Sequence, residues 1–201
     1  MIRIAAIIGT TRPGRRSAGV VDWVKQAADA HLDGRDVSVE IVDVAEYRLP
    51  LLDEVYPAMW GRYENAHTQR WAETIASYDA FVFVTPEYNH AVPASLKNAV
   101  DFLFAEWNDK AAGFVSFGSS GGVRAVEHLR LVMSELKVAT VRSQVGLSVF
   151  TDFEWTNPGS PDDLGVVKPG EHQLAALHSM LDELTAWAGA LKSLRVSAVA
   201  A

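Results

Sequence analysis

At 201 residues the chain suits one compact domain and is too short for two full ones. Its residues are 49% hydrophobic and 21% charged, which supports a sizeable core and excludes intrinsic disorder. Eighteen Lys and Arg against 25 Asp and Glu leave a net charge of −7, so the whole surface is not expected to grip nucleic acid or anionic lipid. Any anion site must be local. Cysteine is absent, which excludes disulfides, thiolate metal sites, iron–sulfur clusters and cysteine nucleophiles. Redox chemistry would need a borrowed cofactor.

Residues 2–8 form a nearly continuous apolar run ending at Gly9, the pattern of a strand buried on both faces. The run is too short for a signal peptide, and Arg12, Arg15 and Arg16 follow at once, so the expected location is cytoplasmic. No run approaches the roughly 20 apolar residues of a membrane-spanning helix. After the loop, Ser17 is placed to cap a helix whose Val20, Val21, Val24, Ala27 and Ala28 share one face. Val37 to Val42 reads as a second strand and Asp79 to Thr85 as a third, separated by an irregular stretch over 45–65 and a helix over 68–77. Pro93 fits the first turn of the next helix, which buries Leu96, Ala99, Val100 and Leu103, with Lys97 and Asp101 four apart and able to pair. Residues 111–117 form a fourth strand, 123–136 a helix and 140–150 a fifth strand. A Pro- and Gly-rich loop over 152–170 precedes a last helix over 171–192, closing a single domain over 1–192 with a frayed tail over 193–201.

Strands alternating with helices imply a parallel sheet wrapped on both faces. Five strands fit the order 2-1-3-4-5, a flavodoxin-like α/β three-layer sandwich, better than the six of a dinucleotide fold. In that order a ligand sits over the carboxyl ends of strands 1, 3 and 4, which singles out the loops 9–17, 85–93 and 118–122. The first joins a strand end to a helix start and carries three arginines and several hydroxyls, a natural seat for a phosphomonoester; the alternative is a solvated basic loop. It is not a nucleoside-triphosphate loop, because Arg15 and Arg16 stand where Lys and Ser or Thr are required. The second, held between Pro86 and Pro93, offers a preset surface where a flat heteroaromatic ring would meet backbone N–H groups under Tyr88. The third, Gly118-Ser119-Ser120-Gly121-Gly122, lets backbone approach a ligand closely.

Gly-Thr-Thr-Arg at 9–12, Pro-Glu-Tyr-Asn at 86–89 with Leu-Lys-Asn-Ala-Val-Asp at 96–101, and Gly-Gly-Val-Arg-Ala at 121–125 together resemble the NAD(P)H-dependent FMN reductase family, over about residues 1–150. That family includes quinone, azo-dye and chromate reductases. The resemblance implies an FMN-containing oxidoreductase that takes hydride from NADPH or NADH and passes electrons to a small acceptor: a flavin, a quinone or an azo compound. It also implies a homodimer or homotetramer. By resemblance, Thr10, Thr11, Arg12, Arg15 and Ser17 hold the FMN phosphate, Pro86, Glu87, Tyr88 and Asn89 meet the ring, and Gly118, Ser119, Ser120 and Gly121 flank its other side. The flavin carries the hydride, so no side-chain acid or base is required. The alternative is a flavodoxin-like electron carrier that does not oxidise NAD(P)H directly.

The six histidines match no zinc spacing, so no metal is expected, and only His90 lies in a candidate loop. Glu87 is expected to donate from its backbone with an outward carboxylate. Trp60 and Trp107, near irregular segments, are candidates for a subunit contact.

Overall fold

The structure, a computed structural model, describes residues 1–199; the side-chain surroundings beyond Arg195 and residues 200–201 lie outside the described part. Five parallel strands form the central sheet: β1 (Ile2–Ile8), β2 (Val37–Asp43), β3 (Ala80–Pro86), β4 (Lys110–Gly118) and β5 (Val138–Ser148), in the order β2-β1-β3-β4-β5. The sequence-based order is thus the observed one. Alternation along each strand feeds two cores. Ile4, Ala6 and Ile8 of β1 join Val82, Val84 and Val115 on one face, while Ala5, Ile7, Phe81, Phe83 and Phe114 face the other. This two-sided burial is why these strands read as unbroken apolar runs.

Helices α1 (Ser17–His31) and α6 (Glu171–Val199) cover the first face, through Val20, Val24, Leu177, Leu181 and Leu184. Helices α3 (Ala66–Ala76), α4 (Ala94–Asp101) and α5 (Val123–Glu135) cover the second, through Trp71, Leu96, Val100 and Leu129. Trp107 lies wholly inside this second core, T-stacked on Trp71 and Phe81, so it is not a subunit contact. Trp60 is 66% exposed.

The irregular stretch contains a one-turn helix, α2 (Val44–Tyr47), capped by Asp43 Oδ1 accepting from Ala45 N at 3.0 Å, and a 3₁₀ turn at Ala58–Trp60. The loop after β5 contains a two-stranded antiparallel ribbon, β6 (Phe153–Glu154) with β7 (Val166–Val167). Lys97 and Asp101 pair on the surface of α4 as their spacing foretold.

Two expectations are corrected. Ser17 is the first helical residue rather than the cap; Arg16 occupies that place with no side-chain cap bond. The tail expected to fray from 193 is helical to Val199, because Lys192 and Arg195 reach Asp79 beside β3 and Arg195 also donates to the Asp109 carbonyl at 2.6 Å. The contacts with Asp79 span more than a hundred residues and that with Asp109 spans 86, so local sequence could not reveal them.

One buried cation stands out. Lys110 is 3% exposed, and its Nζ donates to the carbonyls of Ile75 (2.7 Å) and Ala76 (3.2 Å) at the end of α3. Burial, with Arg195 in support and Asp79 and Glu106 opposing, pushes its pKa down to about 7. An unfolded lysine holds its proton to about 10.4, so between these values the unfolded chain binds more protons and native stability rises with pH. Urea unfolding should show the stability of the wild type relative to Lys110→Met increasing from pH 7 to pH 10; a difference independent of pH would refute this origin.

Candidate functional site

The register brings three strand ends level: Ile8 lies opposite Val84, Val84 opposite Val115, and Pro86 opposite Phe117. Gly9 continues the ladder by donating to Val84 O at 3.0 Å, and Glu87 by donating to Phe117 O at 3.0 Å. The three candidate loops therefore leave one edge of the sheet together.

The first loop is pinned at its root. Ser95 Oγ of α4 donates to Gly9 O at 2.9 Å, and a Cβ at Gly9 would lie 2.8 Å from the Leu96 side chain, so only glycine lets α4 pack there. Thr10 is buried; its Oγ1 accepts from Arg12 N at 3.3 Å and lies 3.3 Å from Tyr88 Oη, joining the first loop to the second. Gly14 turns the chain at φ +65° into α1. Val20 is the first residue to donate back along α1, to Arg16 O, so the N–H groups of Ser17, Ala18 and Gly19 end the helix unpaired by it. The Ser17 hydroxyl is fully buried and also has no partner. Donors converging without acceptors at a helix N-terminus suit an anion.

The arginines divide. Arg12 is exposed and engages no other side chain among the described residues. Arg15 turns to Asp43 at the end of β2, and Arg16 lays its guanidinium over Trp155, 4.7 Å from the ring centroid. Thr11 lines a separate cavity of about 350 Å³ with Ala45, Arg48, Ser95 and Asn98. Of the five residues expected at the phosphate, Ser17 stands buried at the helix start, Thr10 is buried beside Tyr88 and Arg12 is exposed in the same loop, while Arg15 pairs with Asp43 and Thr11 lines the separate cavity.

In the second loop, Tyr88 and Ala91 exchange both backbone bonds (2.9 and 3.1 Å), closing a two-residue turn with Asn89 at φ +49° and His90 at φ +76°. Both central residues at positive φ make the tight turn that fits strand twist, and holding a histidine there costs about 1 kcal/mol. The N–H groups of Asn89 and His90 have no partner among the described residues. The His90 ring is exposed, 5.7 Å from that of His128.

Glu87 corrects the expectation in both respects: its N–H belongs to the sheet, and its carboxylate turns inward, 5% exposed, onto Arg124 at the start of α5. Burial acts to raise its pKa, but Arg124 and the N–H groups of Ala125 and Arg124 outweigh this and hold it below the usual range. It is an ionised strap between the second and third loops, with Oε2 still a free buried acceptor. Arg124 was part of the third motif, but nothing in its spacing tied it to Glu87. The third loop is held by Ser116 Oγ donating to Gly121 O at 2.7 Å. Gly121 and Gly122 both adopt positive φ, and a Cβ on Gly122 would lie 2.8 Å from Phe117 N. Ser119 and Ser120 are exposed at its tip, and Gly118 abuts Glu87 Cβ.

Because the Glu87 pKa is depressed, its strap contributes above the unfolded value of about 4.3 and is lost as pH falls through the folded one. Thermal unfolding should find Glu87→Gln less stable than wild type at pH 7, with the gap closing at pH 3; an equal gap at both would refute the strap.

The NADPH-dependent FMN reductase model matches residues 2–152. The NAD(P)H-dependent FMN reductase ntnL of a Nectria species is 37% identical over 168 residues, covering 79% of this chain and 83% of that protein. The NAD(P)H-dependent FMN reductase LOT6 of Saccharomyces cerevisiae is 32% identical over 70% of this chain and 78% of its own length. Among solved structures, the flavoenzyme NAD(P)H:(acceptor) oxidoreductase FerB of Paracoccus denitrificans shares the fold, with a TM-score of 0.69 at 18% identity over 94% of this chain and 98% of that one. The sheet edge described above, with its anion-seeking helix start and its strapped loops, is accordingly that of a member of the NADPH-dependent FMN reductase family.

Proposed function

We propose that the convergent loops hold FMN by its phosphate at the start of α1 and by its ring between the second and third loops. The single observation that carries this reading is the buried Ser17 hydroxyl, partnerless beside unpaired helix N–H groups. In this reading Thr10, Ser17 and the backbone of 17–19 grip the phosphate, with Arg12 free to close over it. The unpaired N–H groups of Asn89 and His90 and the glycine turn at 118–122 border the ring, and Glu87 Oε2 offers an acceptor for a ring N–H. Arg15 and Thr11 assist from outside, Arg15 by fixing the loop to β2 through Asp43.

The chain is an NAD(P)H-dependent FMN oxidoreductase. When bound, FMN supplies the hydride-accepting and electron-donating centre. The protein's part is to orient it with backbone donors, to keep its face open to a small acceptor and to keep Glu87 ionised and engaged rather than acting as a base. A quinone or free flavin as acceptor fits the family: the quinone reductase of Escherichia coli is 30% identical over 66% of this chain. Azo compounds belong to the same proposal.

Self-association is part of the proposal as well. Leu51, Val55, Met59 and Trp60 are 66–83% exposed together on the stretch between α2 and α3, and Asn98 clamps that stretch to α4 through Pro50 O and Leu52 N. A second copy of the chain in a dimer or tetramer would cover them. No helix among the described residues is long and apolar enough to cross a membrane, and we place the protein in the cytoplasm, where reduced nicotinamides are available.

The purified protein should be yellow, and under anaerobic stopped flow NADPH should bleach its flavin absorbance within seconds. A flavin that stays oxidised would indicate an electron carrier instead. Arg12→Ala should weaken FMN binding by roughly 10- to 100-fold, as expected for loss of a charged hydrogen bond, without changing the circular dichroism spectrum. A variant that purifies fully loaded would remove Arg12 from the phosphate site.

A further inference from the structure

A cavity of about 320 Å³ lies beside the loops just assigned, walled by Arg16, Val149, Phe150, Trp155 and Pro158. Its aromatic wall is fixed in place. Trp155 Nε1 donates to Val149 O at 3.0 Å, and its ring stacks on Phe153 with centroids 5.8 Å apart. Gly165, at φ +71°, is pressed so close that a Cβ there would lie 3.0 Å from the Trp155 ring. Phe150, by contrast, is 75% exposed, a bare ring at the cavity.

Among the described residues the one charged group in the wall is Arg16. Its guanidinium lies over Trp155, and its Nε is buried without a hydrogen-bond partner. Among the described residues no carboxylate lines the cavity. Asp163, whose carboxylate feels the Arg16 charge, is occupied by the N–H groups of Thr156, Asn157 and Gly165. The N–H of Asn157, then that of Gly165 and more weakly Arg16, hold its carboxyl below the usual range. The walls therefore suit a flat ring carrying a separate anionic group.

Position narrows the choice. The cavity touches the phosphate end of the cradle through Arg16, next to Ser17, and the third loop through Val149, whose N–H donates to Gly118 O at 3.1 Å. A small acceptor must lie on the flavin ring itself, so a pocket to one side serves the far end of an elongated co-substrate. In nicotinamide dinucleotides that end is adenosine. Proteins read its bare ribose 2′-hydroxyl with Asp or Glu and accommodate a 2′-phosphate with Arg.

We propose that this cavity holds the adenosine end of the nicotinamide co-substrate, with Phe150 and Trp155 against adenine and Arg16 on the 2′-phosphate, so that Arg16 sets a preference for NADPH over NADH. The proposal rests on the flavin reading above. Arg16, Val149 and Phe150 lie within the family match over 2–152, and Trp155 and Pro158 beyond it, so the cavity joins the matched part of the chain to its extension.

The test uses FMN-loaded protein. Adenosine 2′,5′-bisphosphate and adenosine 5′-monophosphate are titrated by calorimetry, and flavin reduction by NADPH and by NADH is followed anaerobically. Wild type should bind the bisphosphate at least tenfold more tightly than the monophosphate. Arg16→Ala should weaken the bisphosphate and NADPH by roughly 10- to 100-fold and leave NADH within about twofold, with Arg16→Lys in between. Phe150→Ala, at an exposed position, should weaken both nicotinamides by about tenfold through lost stacking. Equal losses of NADPH and NADH in Arg16→Ala, no loss of either, a wild type that does not distinguish the two adenosine phosphates, or an unchanged Phe150→Ala would each overturn the proposal. So would loss of FMN from Arg16→Ala, which would give its guanidinium to the flavin phosphate. The flavin reading is judged separately by Arg12→Ala: if that variant keeps its FMN, the phosphate assignment fails while the bisphosphate titration still decides the cavity.

Discussion

Burial of β1, β3 and β4 on both faces governs everything else in this molecule. Strands enclosed by helices above and below have no free surface for chemistry, so polar, glycine-rich sequence can appear only where they end. Parallel pairing in matched register then makes those ends coincide: Ile8, Val84 and Val115 stand side by side. Segments more than thirty residues apart in the chain are thereby brought to one edge by the ladder, before any side chain links them.

Small local constraints then refine the edge. Leu96 packs against the bare Cα of Gly9, Ser95 and Ser116 fasten the first and third loops, and Glu87 with Arg124 joins the second to the third. The motif 96–101 owes its form to this work rather than to ligand contact: Leu96 meets Gly9, Asn98 clamps residues 50–52, and Lys97 pairs with Asp101 outside. Each fixed loop reduces the ordering a ligand would otherwise impose on binding.

The sheet order was legible because long apolar runs and their spacing report burial directly, and the three loops followed from topology. What escaped was set by contacts distant in sequence. Glu87 turned inward because Arg124 waits across the edge, and Arg15 left the helix start because Asp43 lies at the end of the neighbouring strand. Ser17 has the chemistry of a cap, but the chain enters α1 one residue earlier and leaves its hydroxyl inside. Trp107, beside an irregular segment, belongs to a cluster with Trp71, Phe81 and Phe83 that only the assembled sheet creates. The short α2 and the β6–β7 ribbon fall below the length at which periodicity speaks.

Asp79 carries a consequence for how the protein comes apart. Its carboxylate accepts from the backbone of Arg3 in the first strand and from Lys192 and Arg195 near the end of the last helix. The first strand and the last helix as far as Arg195 are thus tied to the strand at the centre of the sheet, so neither can peel back without exposing a buried charge. Proteolysis of β1 or of the last helix up to that point should therefore depend on whole-molecule opening rather than on local fraying.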